Sequence, residues 1–203
     1  MSALPTVLVT GASSGIGATY AERFAQRGHD LVLVARDQAR LETLAARLRE
    51  HFAVAVEVLV ADLTQADALA RVEARLREDS RIGVMINNAG QGQSGGFLGQ
   101  DGASLERLIG LNVTAVTRLA AAIAPRLAEQ GTGAIVNIGS VVGLAPELGM
   151  TVYGATKAFV QFLSQGLALE LGQRGSMCRP CCRPRPAPRS GRVPGWTSTR
   201  CQK

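Results

Sequence analysis

Tyr153 and Lys157 stand four residues apart in "TVYGATK", a spacing that stacks two side chains on one helical face, a turn apart. A phenol titrates near pH ~10 and is a poor acid–base catalyst at neutrality; an ammonium held beside it favours the phenolate and draws that value down. The pair has the makings of a general acid–base centre. Lys157 is the only lysine before Lys203, and the other strong cations of residues 1–175 are all arginines. The plainer alternative for Tyr153 is half-buried packing. A second cluster, "TGASSGIG" at 10–17, follows an apolar run and opens an amphipathic one. Gly11 permits a tight turn, Gly15 lets the backbone approach a phosphate, and Gly17 lets helix and strand pack closely. Free N–H groups at the helix start would attract a pyrophosphate; a plain tight turn is the alternative. No GK[ST] follows, which argues against a P-loop kinase or ATPase.

These residues need a frame, and the hydrophobic pattern supplies one. Short β-branched runs at 6–10, 30–35, 55–60, 84–87 and 134–138 read as strands, apolar on both faces as buried parallel strands are. Between them, 16–27, 39–51, 66–79, 104–130 and 151–173 read as helices, with Gly28, Gly83 and Gly131 or Gly133 as stops. Such alternation predicts a single α/β domain, a Rossmann-like doubly wound parallel sheet with helices on both faces. Ligand chemistry then belongs at the carboxyl ends of the strands, in the loops after Thr10, Ala35, Val60, Asn87 and Ile138.

At 203 residues, 46% hydrophobic and 19% charged, the chain suits one globular domain. The formal charge of +6 suggests a polyanion partner only until it is located: residues 176–203 hold seven basic residues and no acid, so the body is nearly neutral. We therefore expect no nucleic acid partner. "MSALPTVLVTG" does not read as a signal peptide, and no apolar run reaches the roughly 18 residues of a membrane span. With no cysteine before Cys178, a cytoplasmic location is expected.

The G-x-x-x-G-x-G spacing after Thr10 resembles the short-chain dehydrogenase/reductase family. The likeness extends through "NNAG" (87–90), Asn112 in "LNV", "NIGS" (137–140) and "YGATK" (153–157), in family order. It implies an NAD(P)-dependent oxidoreductase acting on a carbonyl/alcohol pair. Asn112, Ser140, Tyr153 and Lys157 would be the catalytic set: Tyr153 passes the proton, Ser140 orients the substrate oxygen, and Asn112 positions a relay water. Lys157 would also hold the nicotinamide ribose. Bland readings exist for Ser140 as a loop cap and for Asn112 as a satisfied helix polar. The resemblance assigns Gly11, Ser13, Ser14, Gly15, Ile16 and Gly17 to the cofactor, with Asp62 and Leu63 at the adenine and Asn88 at the adenosine ribose. Where an acid at the end of the second strand would favour NAD, the chain has Ala35 followed by Arg36. A guanidinium there suits a 2′-phosphate, so NADP is preferred over NAD, with Asp37 as a neighbour that could repel it. "QGQSGGF" (91–97) and "VVGLAPELGM" (141–150) should line a small, apolar pocket mouth, fit for a modest organic carbonyl or, alternatively, a 3-oxoacyl thioester. The likeness also implies a homodimer through helices 104–130 and 151–173.

Beyond residue 175 the family pattern fails. Residues 176–203 gather all four cysteines and five of the eight prolines, and offer no apolar strand pattern. "CRPCC" has C-x-x-C spacing, but no histidine follows, so no metal site is expected. Read one base out of register, Met177–Cys178 must encode valine, Cys181–Cys182 leucine and Trp196–Thr197 aspartate, and a family-like strand becomes possible. The expectation is a core at 1–175 lacking its last strands, and a basic, disordered, out-of-frame tail at 176–203. A truncated chain that binds cofactor without turnover is the alternative function.

Overall fold

Runs that are apolar on both faces are stable only where both faces are covered. The computed structural model describes residues 4–94, 96–172 and 175–181, and it places such runs at the centre of one parallel sheet. Strands β1 (Thr6–Thr10), β2 (Leu31–Ala35), β3 (Val56–Val60), β4 (Ile82–Asn87), β5 (Ala134–Ile138) and β6 (Met177–Cys181) lie in the order β3-β2-β1-β4-β5-β6. Helices α1 (Gly15–Ala25), α2 (Gln38–Phe52), α3 (Ala66–Glu78), α4 (Gly102–Ile109), α5 (Val116–Gln130) and α6 (Thr151–Gly172) cover it. Strand alternation divides the core: Val7, Val9, Leu31 and Leu33 pack with Leu41 and Leu48 of α2, whereas Leu8, Val32 and Met85 pack with Leu76 of α3 and Leu119 and Ile123 of α5. The chain leaves β1 for β2 and β3 on one side and crosses back to β4 on the other. The crevice therefore opens beyond the carboxyl ends of β1 and β4.

Two boundaries differ from expectation. Helix α3 ends at Glu78, and Gly83 lies inside β4 rather than stopping a helix. A Cβ at Gly83 would stand 2.7 Å from Pro5 Cβ, so close passage of the chain entering β1 demands glycine there. The expected 104–130 helix is interrupted by a π turn at Gly110–Ala115, which carries Asn112. The stretch 102–130 is long enough to cross a bilayer and contains an 18-residue window of mean hydropathy 1.5, but half of that window is buried inside the fold.

The expectation that the sheet would end at β5 is overturned. β6 pairs in parallel with β5 from Ala134–Met177 to Ile138–Cys181. Edge pairing asks for backbone groups, not apolar side chains, and proline is tolerated at an edge, which is why Pro180 can lie in register with Asn137. Local geometry delivers the chain to this place. Gly175 adopts φ +82° where a Cβ would meet the Gly131 carbonyl at 2.6 Å, Met177 N–H donates to Gly133 O at 3.1 Å, and the buried Ser176 hydroxyl donates to Leu127 O at 2.8 Å. Ser176, which reads as the first tail residue, belongs to the folded body. The expectations for 182–203 lie outside the described residues.

The turn from α3 into β4 is closed by charge. Asp79 accepts from the Arg81 backbone N–H at 3.1 Å, from its guanidinium at 2.9 and 2.8 Å, and from Arg75 Nε at 3.1 Å. The Arg81 guanidinium hydrogen bonds, backed by its N–H and the charges of Arg81 and Arg75, outweigh burial and hold the Asp79 carboxyl at about 2. That value lies below the ~3.9 of an unfolded aspartate, so the stabilisation is complete above pH ~4 and is lost as pH falls toward ~2. Asp79→Asn is expected to cost about 1 kcal/mol at neutral pH, the exposed Arg81 being screened by water. In denaturant titrations it should also flatten the stability loss between about pH 4 and 2; an unchanged acid limb would show that Asp79 is not its source.

Candidate active site

The glycine-rich turn is built as its spacing requires. Gly11 has φ +64° and Gly15 φ +56°. A Cβ on Gly17 would come within 2.3 Å of the Gly11 carbonyl oxygen, whereas one on Gly15 would meet nothing within 4 Å. Gly17 thus serves packing, and Gly15 faces open space that a ligand can fill. Ser14 precedes α1 in extended conformation and makes no side-chain cap, so the first N–H groups of the helix are left for an anion. Thr10 ties this turn to the loop after β4: its Oγ1 accepts from Asn88 N and Ala89 N, both at 2.9 Å. Asn88 returns the tie, donating Nδ2 to Thr10 O at 2.9 Å and to Gly11 O at 3.1 Å.

Ser13, Ser14, Gly15, Ile16, Arg36, Asp62, Leu63 and Asn88 all border one cleft of ≈ 1130 Å³ that continues to Ser140, Tyr153 and Lys157. Asp62 is oriented by its own loop, Oδ1 accepting from Thr64 N at 3.0 Å and Thr64 Oγ1 at 2.8 Å. Beyond β2, Arg36 is exposed. Asp37 does not face it as a bare charge: it caps α2, accepting from Arg40 N at 3.0 Å, and pairs with Arg40 Nε at 3.2 Å. Ala35, Arg36 and Arg40 thus make a cleft end with cationic character, and among the described residues Arg36 has no ion-pair partner. The donor set fits a phosphorylated dinucleotide.

At the other end, α6 presents Tyr153 half-buried and Lys157 buried. Lys157 Nζ donates to Ile138 O, the last carbonyl of β5, at 2.8 Å and lies 5.9 Å from the Tyr153 ring centre. Ser140 follows β5 by two residues; its Oγ accepts from Val142 N at 3.3 Å, capping a short 3₁₀ turn at Val141–Leu144. It is both the loop cap of the bland reading and a cleft wall. Asn112 is fully buried and is not among the cleft walls. Its Oδ1 accepts from Gln91 N at 2.9 Å, while Nδ2 donates to Gln91 O at 2.9 Å and to Thr156 Oγ1 at 3.2 Å.

Three contributors escaped sequence reasoning. Arg40 lies four residues beyond Arg36, a spacing that could have suggested it. Thr156 stood unremarked inside the "YGATK" motif. Gly143 gave no signal: a Cβ there would lie 2.7 Å from Ala158 N and the Lys157 carbonyl carbon, so glycine lets the 3₁₀ turn press on α6 beside the ammonium.

The chain is similar to the bulky-bulky ketone specific alcohol dehydrogenase from Comamonas testosteroni, with 64% identity and a TM-score of 0.89 over 90% of this chain and 74% of that one. It is equally similar to a short-chain dehydrogenase from Sphingobium yanoikuyae solved in complex with NADPH, at 69% identity and TM-score 0.88 over 89% and 71% of the two chains. Among curated proteins, the very-long-chain 3-oxoacyl-CoA reductase of Bos taurus is 36% identical over 172 residues, covering 83% of this chain and 55% of that protein. The chain therefore spans about half the length of the curated relatives it matches. A sequence profile described as short chain dehydrogenase matches residues 5–182. On a match that runs from the approach to β1 to just past β6, this chain belongs to the short-chain dehydrogenase family.

Proposed function

We propose that this protein is an NADP-preferring oxidoreductase that interconverts a carbonyl and an alcohol. The observation that carries the reading is the single cleft joining the glycine-rich turn and Arg36 at one end to Ser140, Tyr153 and Lys157 at the other. The α1 N-terminus with Gly15 would hold the pyrophosphate, Arg36 the 2′-phosphate, and Lys157 the nicotinamide ribose. Bound there, the reduced dinucleotide would supply the hydride for the carbonyl carbon and leave as its oxidised form. Tyr153 gives its phenolic proton to the carbonyl oxygen, and takes one from the alcohol in the reverse direction. The Lys157 ammonium stabilises the phenolate so formed. Ser140 orients the substrate oxygen by a hydrogen bond. Asn112, whose side-chain amide is bonded to Gln91 and Thr156, sets the loop after β4 rather than reaching substrate with that amide.

The substrate reading is a ketone with apolar substituents. Phe97, Leu144 and Leu148 are exposed in the two loops expected at the cleft mouth, and the Comamonas relative is described as specific for bulky-bulky ketones. A 3-oxoacyl thioester is the second reading, favoured by the names of the curated relatives. An apolar face on α6, with Phe159, Phe162 and Leu169 exposed, and Ile109 exposed on α4, supports a homodimer through these helices.

Three outcomes test this reading. Tyr153→Phe should abolish turnover of bulky ketones while leaving NADPH affinity within about twofold, and Lys157→Ala should harm both; NADPH binding without turnover by the parent chain would favour a cofactor-binding role instead. Gly17→Ala should destabilise the fold by about 1–3 kcal/mol through overpacking, with a matching loss in NADPH fluorescence titrations. Arg36→Ala should weaken NADPH binding about tenfold or more and leave NADH binding nearly unchanged, since a charge-assisted phosphate contact is removed. Equal losses for the two dinucleotides would remove Arg36 from phosphate recognition.

A further inference from the structure

The Thr156 hydroxyl lies at a junction that the proposed chemistry does not use directly. Thr156 is 3% exposed. Its Oγ1 donates to the Tyr153 carbonyl at 2.7 Å and accepts from Asn112 Nδ2 at 3.2 Å. A carbonyl can only accept, so the single hydroxyl proton is committed to Tyr153, and the hydroxyl can offer Asn112 nothing but a lone pair. Asn112 must then present its nitrogen to Thr156. Gln91 demands the same orientation, its N–H meeting Oδ1 and its C=O the second Nδ2 proton, so that all three bonds of the amide agree.

We propose that Thr156 is a positioning residue: its hydroxyl takes the remaining Nδ2 proton of the Asn112 amide and so registers the catalytic helix against the loop after β4. The inference rests on the oxidoreductase reading for its catalytic consequence, but not for its structural one. The geometry is two-sided. Lys157 fastens the same turn of α6 to the end of β5 through Ile138 O, and the adjacent Thr156 fastens it to the π turn that carries Asn112. The loop after β4 includes Gly90, where a Cβ would stand 3.2 Å from Asn112 Oδ1 and 3.5 Å from Lys157 Nζ. Loss of the Thr156 hydroxyl would therefore loosen the turn that bears both Tyr153 and Lys157, and with it the loop that Lys157 approaches.

The test compares Thr156→Val, which keeps the branched shape without the hydroxyl, with Thr156→Ser, which keeps the hydroxyl without the methyl. In the full chain without ligand, amide hydrogen exchange over residues 88–94 should quicken about tenfold in the Val variant and stay near the parent rate in the Ser variant. Against a bulky ketone, kcat should fall about tenfold in Val and recover in Ser. NADPH affinity should stay within about twofold. Unchanged exchange in the Val variant, or equal loss in Ser and Val, overturns the proposal, the second outcome assigning the effect to methyl packing. A parent chain that binds no NADPH while the exchange pattern holds counts against the oxidoreductase reading and leaves the positioning role supported.

Discussion

A buried ammonium is costly unless oxygen atoms take the place of its water. Here Lys157 lies at the carboxyl end of a parallel sheet, and β5 supplies its last carbonyl, that of Ile138. Much of the surrounding architecture can be traced to that one contact. α6 has to run close enough to β5 for a lysine to reach it, so Gly143 has no side chain where the 3₁₀ turn meets Lys157 and Ala158. The β4 loop has to approach the same ammonium, and Gly90 allows it. Tyr153 then falls within reach simply because it precedes Lys157 by about one helical turn.

What could be read in the sequence was whatever depends on period and local chain order. Five strands, five helical stretches and the sheet class follow from alternation of short and amphipathic runs, and their bounds agree within a few residues apart from the π turn that divides the fourth helical stretch. Gly11, Gly15 and Gly17 were readable because steric demands on glycine are local. The position of Ser140 at the cleft was readable from its place after a strand, at the end of "NIGS". What stayed hidden depends on contacts between distant segments. Nothing in "GLNVTA" announces a π turn, and nothing near Thr156 announces a partner 44 residues away.

The sixth strand marks a different limit. An edge strand in a parallel sheet is held on one side by backbone hydrogen bonds, so its sequence need not show the apolar run that central strands require. "MCRPC" lacks such a run, yet Gly175, Ser176 and the carbonyls of Leu127 and Gly133 bring it alongside β5. Hydrophobic pattern is a guide to the buried centre of a sheet and a poor guide to its margins.

The capping role of Asp37 bears on efforts to redesign cofactor choice. An acid that recognises an unphosphorylated ribose has to stand free at the end of β2. Asp37 is one residue further on from Arg36, and its carboxylate is held by the first turn of α2 and by Arg40. Removing the Arg36 charge would therefore not hand the site to Asp37. A swap toward the unphosphorylated dinucleotide would need a new carboxylate at position 35, and helix α2 would keep its existing cap throughout.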